Sequence, residues 1–205
     1  RTETGENRVL QLLKQGKVPD SLKPAIVASV AGAWKKAVRD EAASYLPQPV
    51  GQEGNARVPQ MSTIAQLKPD PAKGSTVFST ACSLCHMVGG KGYDFGPNLS
   101  EIGSKLPRES LLESIVHPSA GIGFGYEGFN FVMKDGSEFS GIIASKTETD
   151  MEVKFPGGSR KKFKTSAMKS MTPMKSSMMT EGLYAQMSDQ DLANLLDYLS
   201  SLKKN

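Results

Sequence analysis

The sequence predicts a mainly α fold that carries an inserted small antiparallel β unit and is preceded by a helical hairpin. Three observations predict it. Apolar residues recur at helical spacing in residues 1–46, from residue 73 into the eighties, in 108–116 and from 188 onward. Between residues 126 and 165 the pattern changes to short runs separated by Asp-Gly and Gly-Gly turns. Residues 47–72 hold Pro47, Pro49, Gly51, Gly54, Pro59, Pro69 and Pro71 with no sustained period, which reads as a linker.

The elements follow in chain order. Val9, Leu10, Leu12 and Leu13 sit on one side of a first helix, which Gly16 and Pro19 close. Asp20 or Ser21 caps a second helix that runs through Ile26, Val30, Trp34 and Val38 to about Leu46, with Pro24 in its first turn. Two antiparallel helices are one unit of a helical repeat and cannot bury both faces, so residues 1–46 read as the end of a repeat with neighbours upstream. In the linker, Ile64 and Leu67 form a short docking turn. A helix from Lys73 passes through Val77, Phe78 and Ala81, and a Gly-rich loop follows at 89–98. Arg108 to Val116 forms a helix that Pro118 and Gly121 stop.

Tyr126 to Met133, Glu138 to Ala144, Met151 to Phe155 and Arg160 to Lys164 read as strands, and Lys134-Asp135-Gly136 carries the hairpin signature. Residues 166–187 hold six of the ten methionines and show no clear period. Ser188 then caps a last helix with Leu192, Leu195, Leu196 and Leu199 on its apolar face and Asp189 and Asp191 in its first turn. The resulting division is a helical hairpin at 1–46, a linker at 47–72, and a domain at 73–205 with its β insertion at about 126–165.

Composition narrows the function classes. Hydrophobic residues make up 38% and charged residues 22%, which is a globular balance. A formal charge of +4 and 7% aromatic residues give no footprint for nucleic acid. No apolar run approaches the ~20 residues that cross a bilayer. The first residues, Arg1-Thr2-Glu3-Thr4, have no apolar leader, so the chain reads as a mature protein or a fragment of a longer one. Two cysteines in 205 residues make no disulfide scaffold.

Those two cysteines stand three apart and directly precede one of only two histidines: Cys82-Ser83-Leu84-Cys85-His86. On a helical turn, positions 82, 85 and 86 share one face. Two thiols can there form thioethers to the two vinyl groups of one porphyrin while the adjacent imidazole sits under the iron. The motif is therefore read as the attachment site of one covalent c-type haem, with His86 as proximal ligand. A thioredoxin-like redox pair would need a preceding strand and a βαβ setting, whereas a helix pattern precedes this one. Zinc would need four ligands, and the only Cys/His set is Cys82, Cys85, His86 and His117, three of them on one turn.

Gly74-x-x-x-Phe78, Cys82-x-x-Cys85-His86, Gly96-Pro97-x-Leu99 and Leu195-Leu196-x-Tyr198-Leu199 resemble class I cytochromes c, in order along the chain. The resemblance implies that Pro97 offers its carbonyl to the His86 Nδ1–H, which sets the tautomer and raises ligand basicity. It also implies that Phe78 and Leu99 line the haem. Ile102-Gly103, Leu111-Leu112-Glu113-Ser114-Ile115, Pro118-Ser119, Gly125-Tyr126-Glu127, Asp135-Gly136, Ser177-Met178-Met179 and Gly182-Leu183 further resemble the haem-binding domain common in planctomycetes and verrucomicrobia. There it often ends a long chain behind a β-propeller and helical repeats, and residues 1–46 look like the last, HEAT-like, repeat. The resemblance covers residues 73–205 well and the helical part weakly.

Met/His ligation is one way to complete such an iron. By the family's pattern Met179 is the sixth ligand, since it follows Ser177 and one apolar residue. Thr180 stands where the family usually has proline, which keeps Met178 and Met174 in contention. His117 is the rival from another residue class, and its ordinary explanation is a helix-end imidazole near the last carbonyls. The expected function is electron transfer, with electrons accepted from a fused dehydrogenase domain or a separate redox partner. An acidic partner would suit Arg160, Lys161, Lys162, Lys164, Lys169 and Lys175, a stretch with no acid between 160 and 175. The alternative is a haem enzyme or gas sensor with a labile sixth ligand. Because haem is attached to thiols outside the cytoplasm, the expected location is periplasmic or otherwise extracytoplasmic.

Overall fold

The structure, a computed structural model, describes residues 3–19, 26, 41, 44–45 and 58–204. Most of the expected second helix of the hairpin, and the linker up to residue 57, lie outside them. The chain divides into two units, each discontinuous in sequence. One joins Arg1–Gln48 with Phe124–Lys175, and the other joins Pro49–Gly123 with Ser176–Asn205.

In the first unit, α1 spans Glu3–Lys14, and Gly16 leaves it with φ +63. Leu10, Leu13 and Val18 are buried together, with Ile26 and Tyr45 against them. In its second segment this unit forms a five-stranded antiparallel sheet. Its strands are β3 Gly128–Met133, β4 Glu138–Lys146, β5 Asp150–Lys154, β6 Arg160–Lys164 and β7 Met168–Pro173, in the order β6-β5-β4-β3-β7. Two further two-residue strands, β1 Met87–Val88 and β2 Lys91–Gly92, pair in the other unit. The β3–β4 turn needs a glycine, because Gly136 has φ +84. Asp135 completes the turn by accepting from the Ser137 amide at 2.9 Å and hydroxyl at 2.6 Å. One face of the sheet is an aromatic core in which Phe139 stacks on Phe131 at 4.9 Å and on Phe163 at 4.7 Å.

This sheet corrects the expected fold class. The described residues are 35% helical and 21% strand, and they are not plainly mainly α. The fifth strand, β7, falls in the methionine-rich segment that shows no period. Met-Lys-Ser-Met-Thr-Pro has neither alternation nor a β-branched run, and its half-buried positions, Met168 and Met171, are three apart. It becomes a strand because β3 offers it an edge, with Phe131 opposite Met171 and a register shift at Val132/Met133.

The second unit is helical. Asp70 caps α3, Pro71–Ala81, by accepting from the Ala72 and Lys73 amides at 3.0 and 3.3 Å, and Pro71 fills the first helical position. α4 spans Arg108–Val116, and α5 spans Asp189–Ser201 behind a reciprocal Ser188/Asp191 capping box. A short α2, Met61–Ile64, puts Ile64 into the core at 0% exposure. α5 is the central element. Leu192, Leu195 and Leu196 are each 0% exposed, against Phe78 of α3 and Leu111, Leu112 and Ile115 of α4.

The crossing of α3 and α5 is set at Gly74. A side chain there would run into the backbone of Asn194 and the Cβ of Tyr198, so the helices approach at backbone distance. Asn194 is a buried polar residue on the apolar face of α5. Its side-chain oxygen accepts from the Asp70 amide at 2.8 Å and from Gln190 at 2.9 Å, so it is satisfied and ties the start of α3 to α5.

Candidate haem-binding site

α3 delivers the cysteine motif at its C-terminal end. Cys82 is the C-cap, and its amide bonds the Phe78 carbonyl at 2.8 Å. The chain then makes one further turn, with the Cys85 and His86 amides donating to the Cys82 carbonyl at 3.0 and 2.9 Å. Residues 82, 85 and 86 are thereby gathered on one turn, with both cysteines free. Burial pushes the Cys82 thiol up to about 12, with the Cys85 charge adding to it, and burial pushes the Cys85 thiol up to about 11. A dithiol redox pair needs the opposite, a thiolate favoured by a helix N-terminus. Here the helix end is the C-terminal one, whose dipole disfavours a thiolate.

The loop after the motif folds back onto it. Gly89 and Gly90, with φ +57 and +76, make the tight turn between β1 and β2. The Tyr93 amide donates to the Ser83 carbonyl at 2.9 Å, and the Gly96 amide to the Cys85 carbonyl at 2.7 Å. Phe95 between them is 2% exposed. Gly92 has φ +98, and a side chain on it would strike the carbonyls of His86 and Ser83.

This loop brings the Pro97 carbonyl 2.8 Å from His86 Nδ1. A carbonyl only accepts, so Nδ1 carries the proton and Nε2 keeps its lone pair. Burial lowers the His86 pKa, partly opposed by the Pro97 hydrogen bond. The imidazole is thus held neutral, oriented and ready to ligate. Gly96 makes room for it. A Cβ there would lie 2.7 Å from the ring Cε1, 3.0 Å from Nδ1 and 3.3 Å from Nε2.

The other expected site residues take these places. Phe78 is 4% exposed in the α3/α5 contact, its ring 5.9 Å from that of Tyr198. Leu99 is half-buried against the same core, its amide donating to the Met87 carbonyl at 2.8 Å. His117 is exposed at the C-cap of α4, with its amide on the Glu113 carbonyl.

The methionines separate by location. Met133 and Met151 are buried in the sheet core, with Met168 and Met171 packed on it. The Met174 amide donates to the Gly128 carbonyl at 2.8 Å, which ties it to the sheet. Met179 and Met187 pack against the helical core, as do Cys82, Leu99 and Met61. Met61 is a neighbour that sequence reasoning overlooked, because it lies in the linker far from the methionine-rich segment. Met178 is half-buried and is not among the residues packed on that core.

The donor set fits a covalent haem. Two free thiols and a neutral imidazole share one turn, and Gly96 leaves the ring its space. Among the described residues no cluster of three or more His, Cys, Asp or Glu is disposed to hold a bare metal ion.

Residues 71–153 match the family model of Cytochrome c. The match supports a cytochrome c haem-binding domain, and with it a haem-binding, electron-transfer role in general. It begins with α3, passes through the Cys-x-x-Cys-His turn and α4, and ends within the sheet at β5. The helix α5, which packs across α3, lies beyond it. No curated protein matches the chain. No helix among the described residues is long and apolar enough to cross a membrane.

Proposed function

We propose that the chain is an electron-transfer module, not an enzyme, holding one covalent haem c with His86 and Met179 as axial ligands. The observation that carries the reading is the His86–Pro97 hydrogen bond beside the two thiols, because it presents an oriented Nε2 lone pair next to two attachment points. When bound, the haem supplies a one-electron Fe(III)/Fe(II) couple. Cys82 and Cys85 would hold it covalently, so that it is retained in both redox states. His86 would bind the iron through Nε2, with Pro97 preventing ring rotation. Phe78 and Leu99 belong to the apolar wall that limits water around the iron.

Met179 is the preferred sixth ligand because it follows Ser177 and one apolar residue, as the family's pattern has it, and because it packs on the core that Cys82 also joins. The electrons come from a dehydrogenase, fused upstream or separate, and the module works outside the cytoplasm, where haem is attached to thiols. The basic stretch offers a surface for an acidic partner, but it is partly neutralised within the sheet. Arg160 pairs with Glu152 at 3.2 Å and Lys164 with Asp150 at 2.7 Å. The steering expected from six uncompensated charges is reduced accordingly.

The test is an absorption spectrum of both redox states, with Met179→Ala alongside. Loss of the methionine–iron charge-transfer band in the variant supports Met179. An unchanged band removes it and turns attention to Met178, Met187 or Met61.

A further inference from the structure

The Met179 loop has no regular secondary structure, yet one hydroxyl ties it to a distant part of the chain. Ser119 lies three residues past the end of α4. Its Oγ donates to Glu181 Oε1 at 2.8 Å and accepts from the Ser177 amide at 3.1 Å. Ser177 in turn accepts from the Met179 amide at 3.1 Å, a local turn that sets the backbone direction at Met179. The donor and acceptor roles are consistent throughout, since the one proton on Ser119 goes to the carboxylate and its lone pair to the amide.

The partners are 58 and 62 residues apart, and the whole sheet, Gly128 to Pro173, lies between them in sequence. Ser119 therefore closes the neck of the insertion. Met179 and Met187 also pack on the core that α4 joins, but Ser119 adds the directional tie at Ser177 and Glu181 on either side of Met179, and its loss widens the range of backbone positions open to the loop.

We propose that Ser119 is the positioning residue for Met179: by gripping the Ser177 amide and the Glu181 carboxylate together, its hydroxyl holds the loop that presents the thioether to the haem iron. The proposal rests on the reading of Met179 as the sixth ligand. Two hydrogen bonds, one of them to a carboxylate, are at stake in Ser119→Ala. Their loss shifts the balance between iron-bound and released methionine by about tenfold, which corresponds to about 1.4 kcal/mol.

Imidazole titration of the oxidised haem-loaded protein reads that balance, because imidazole takes the position only when methionine has left it. Ser119→Ala is expected to raise the apparent imidazole affinity about tenfold, Ser119→Thr to stay within about twofold of wild type, and Glu181→Ala to raise it about threefold. A merely structural role would lower the urea midpoint and leave the imidazole affinity unmoved. Wild-type affinity in both Ser119→Ala and Glu181→Ala, with Met179→Ala strongly raised, overturns the proposal while the ligand reading stands. Wild-type affinity in Met179→Ala overturns the ligand reading and the proposal with it.

Discussion

Gly96→Ala isolates the packing of the candidate ligand. Gly96 is not among the glycines with positive φ, so alanine meets no backbone penalty there. Its cost is steric. The added methyl would sit 2.7 Å from His86 Cε1, and ordinary contact begins at 3.4 Å, so the ring must retreat by about 0.7 Å. That movement acts on an imidazole held by a single 2.8 Å bond from Nδ1 to Pro97. Overpacking of this kind costs about 1–3 kcal/mol, and weakening the hydrogen bond adds about 0.5–1.5 kcal/mol. The expected destabilisation is about 1.5–4.5 kcal/mol, above the range of ordinary surface substitutions. Urea unfolding of the haem-loaded protein measures it, and the spectrum reports the displaced imidazole as a shift of the visible bands. Gly90→Ala is the control. Its φ is +76 and nothing lies within 4 Å of the added methyl, so it carries backbone strain of about 1 kcal/mol without touching the ring. If Gly96→Ala shows the wild-type midpoint and bands, or if Gly90→Ala disturbs the bands equally, the steric argument is refuted.

Three further outcomes follow from the same geometry. Gly74→Ala drives a methyl into the Asn194 backbone and is expected to cost about 1–3 kcal/mol in urea unfolding, with no change in the haem bands of the folded protein. In the haem-free chain at pH 8, Cys85 should alkylate about a hundredfold more slowly than in the unfolded chain, and the rate should climb about tenfold per pH unit towards pH 11. Since both folded thiols bind their protons more tightly than unfolded ones, the haem-free chain should also lose stability as pH rises above 9.0; a flat profile from pH 9 to 11 counts against the burial argument. The reduced haem-loaded protein should take up carbon monoxide slowly and incompletely, and fast stoichiometric uptake would favour the enzyme or sensor alternative.

Local chemistry made part of the molecule legible. The ends of α4 at Arg108 and Val116 are those that the apolar spacing predicts, and Ser188 caps α5 as its side chain predicts. The Asp-Gly turn at 135–136 is set by one φ that glycine tolerates. The start of α3 was readable too, since Asp70-Pro71 is an N-cap followed by a first-turn proline, although spacing alone begins the helix at Lys73. The expected second helix of the hairpin lies outside the described residues.

By itself the sequence determined the spacing and the gathering of the candidate Cys-x-x-Cys-His site, because the motif acts within five residues and one helical turn brings it together. Tertiary structure decided the rest, through contacts that no local pattern carries. The edge of β3 made a strand of Met168–Pro173, and the five-stranded sheet it completes is what corrects the mainly α expectation. Packing on the α5 core, not residue type, separates Met179, Met187 and Met61 from the sheet-bound methionines. Gly96 and Ser119 stand in motifs that carry the family resemblance, but nothing in the local sequence says what either one does. Their weight comes from what the fold brings to them, an imidazole ring in one case and the far end of a long insertion in the other.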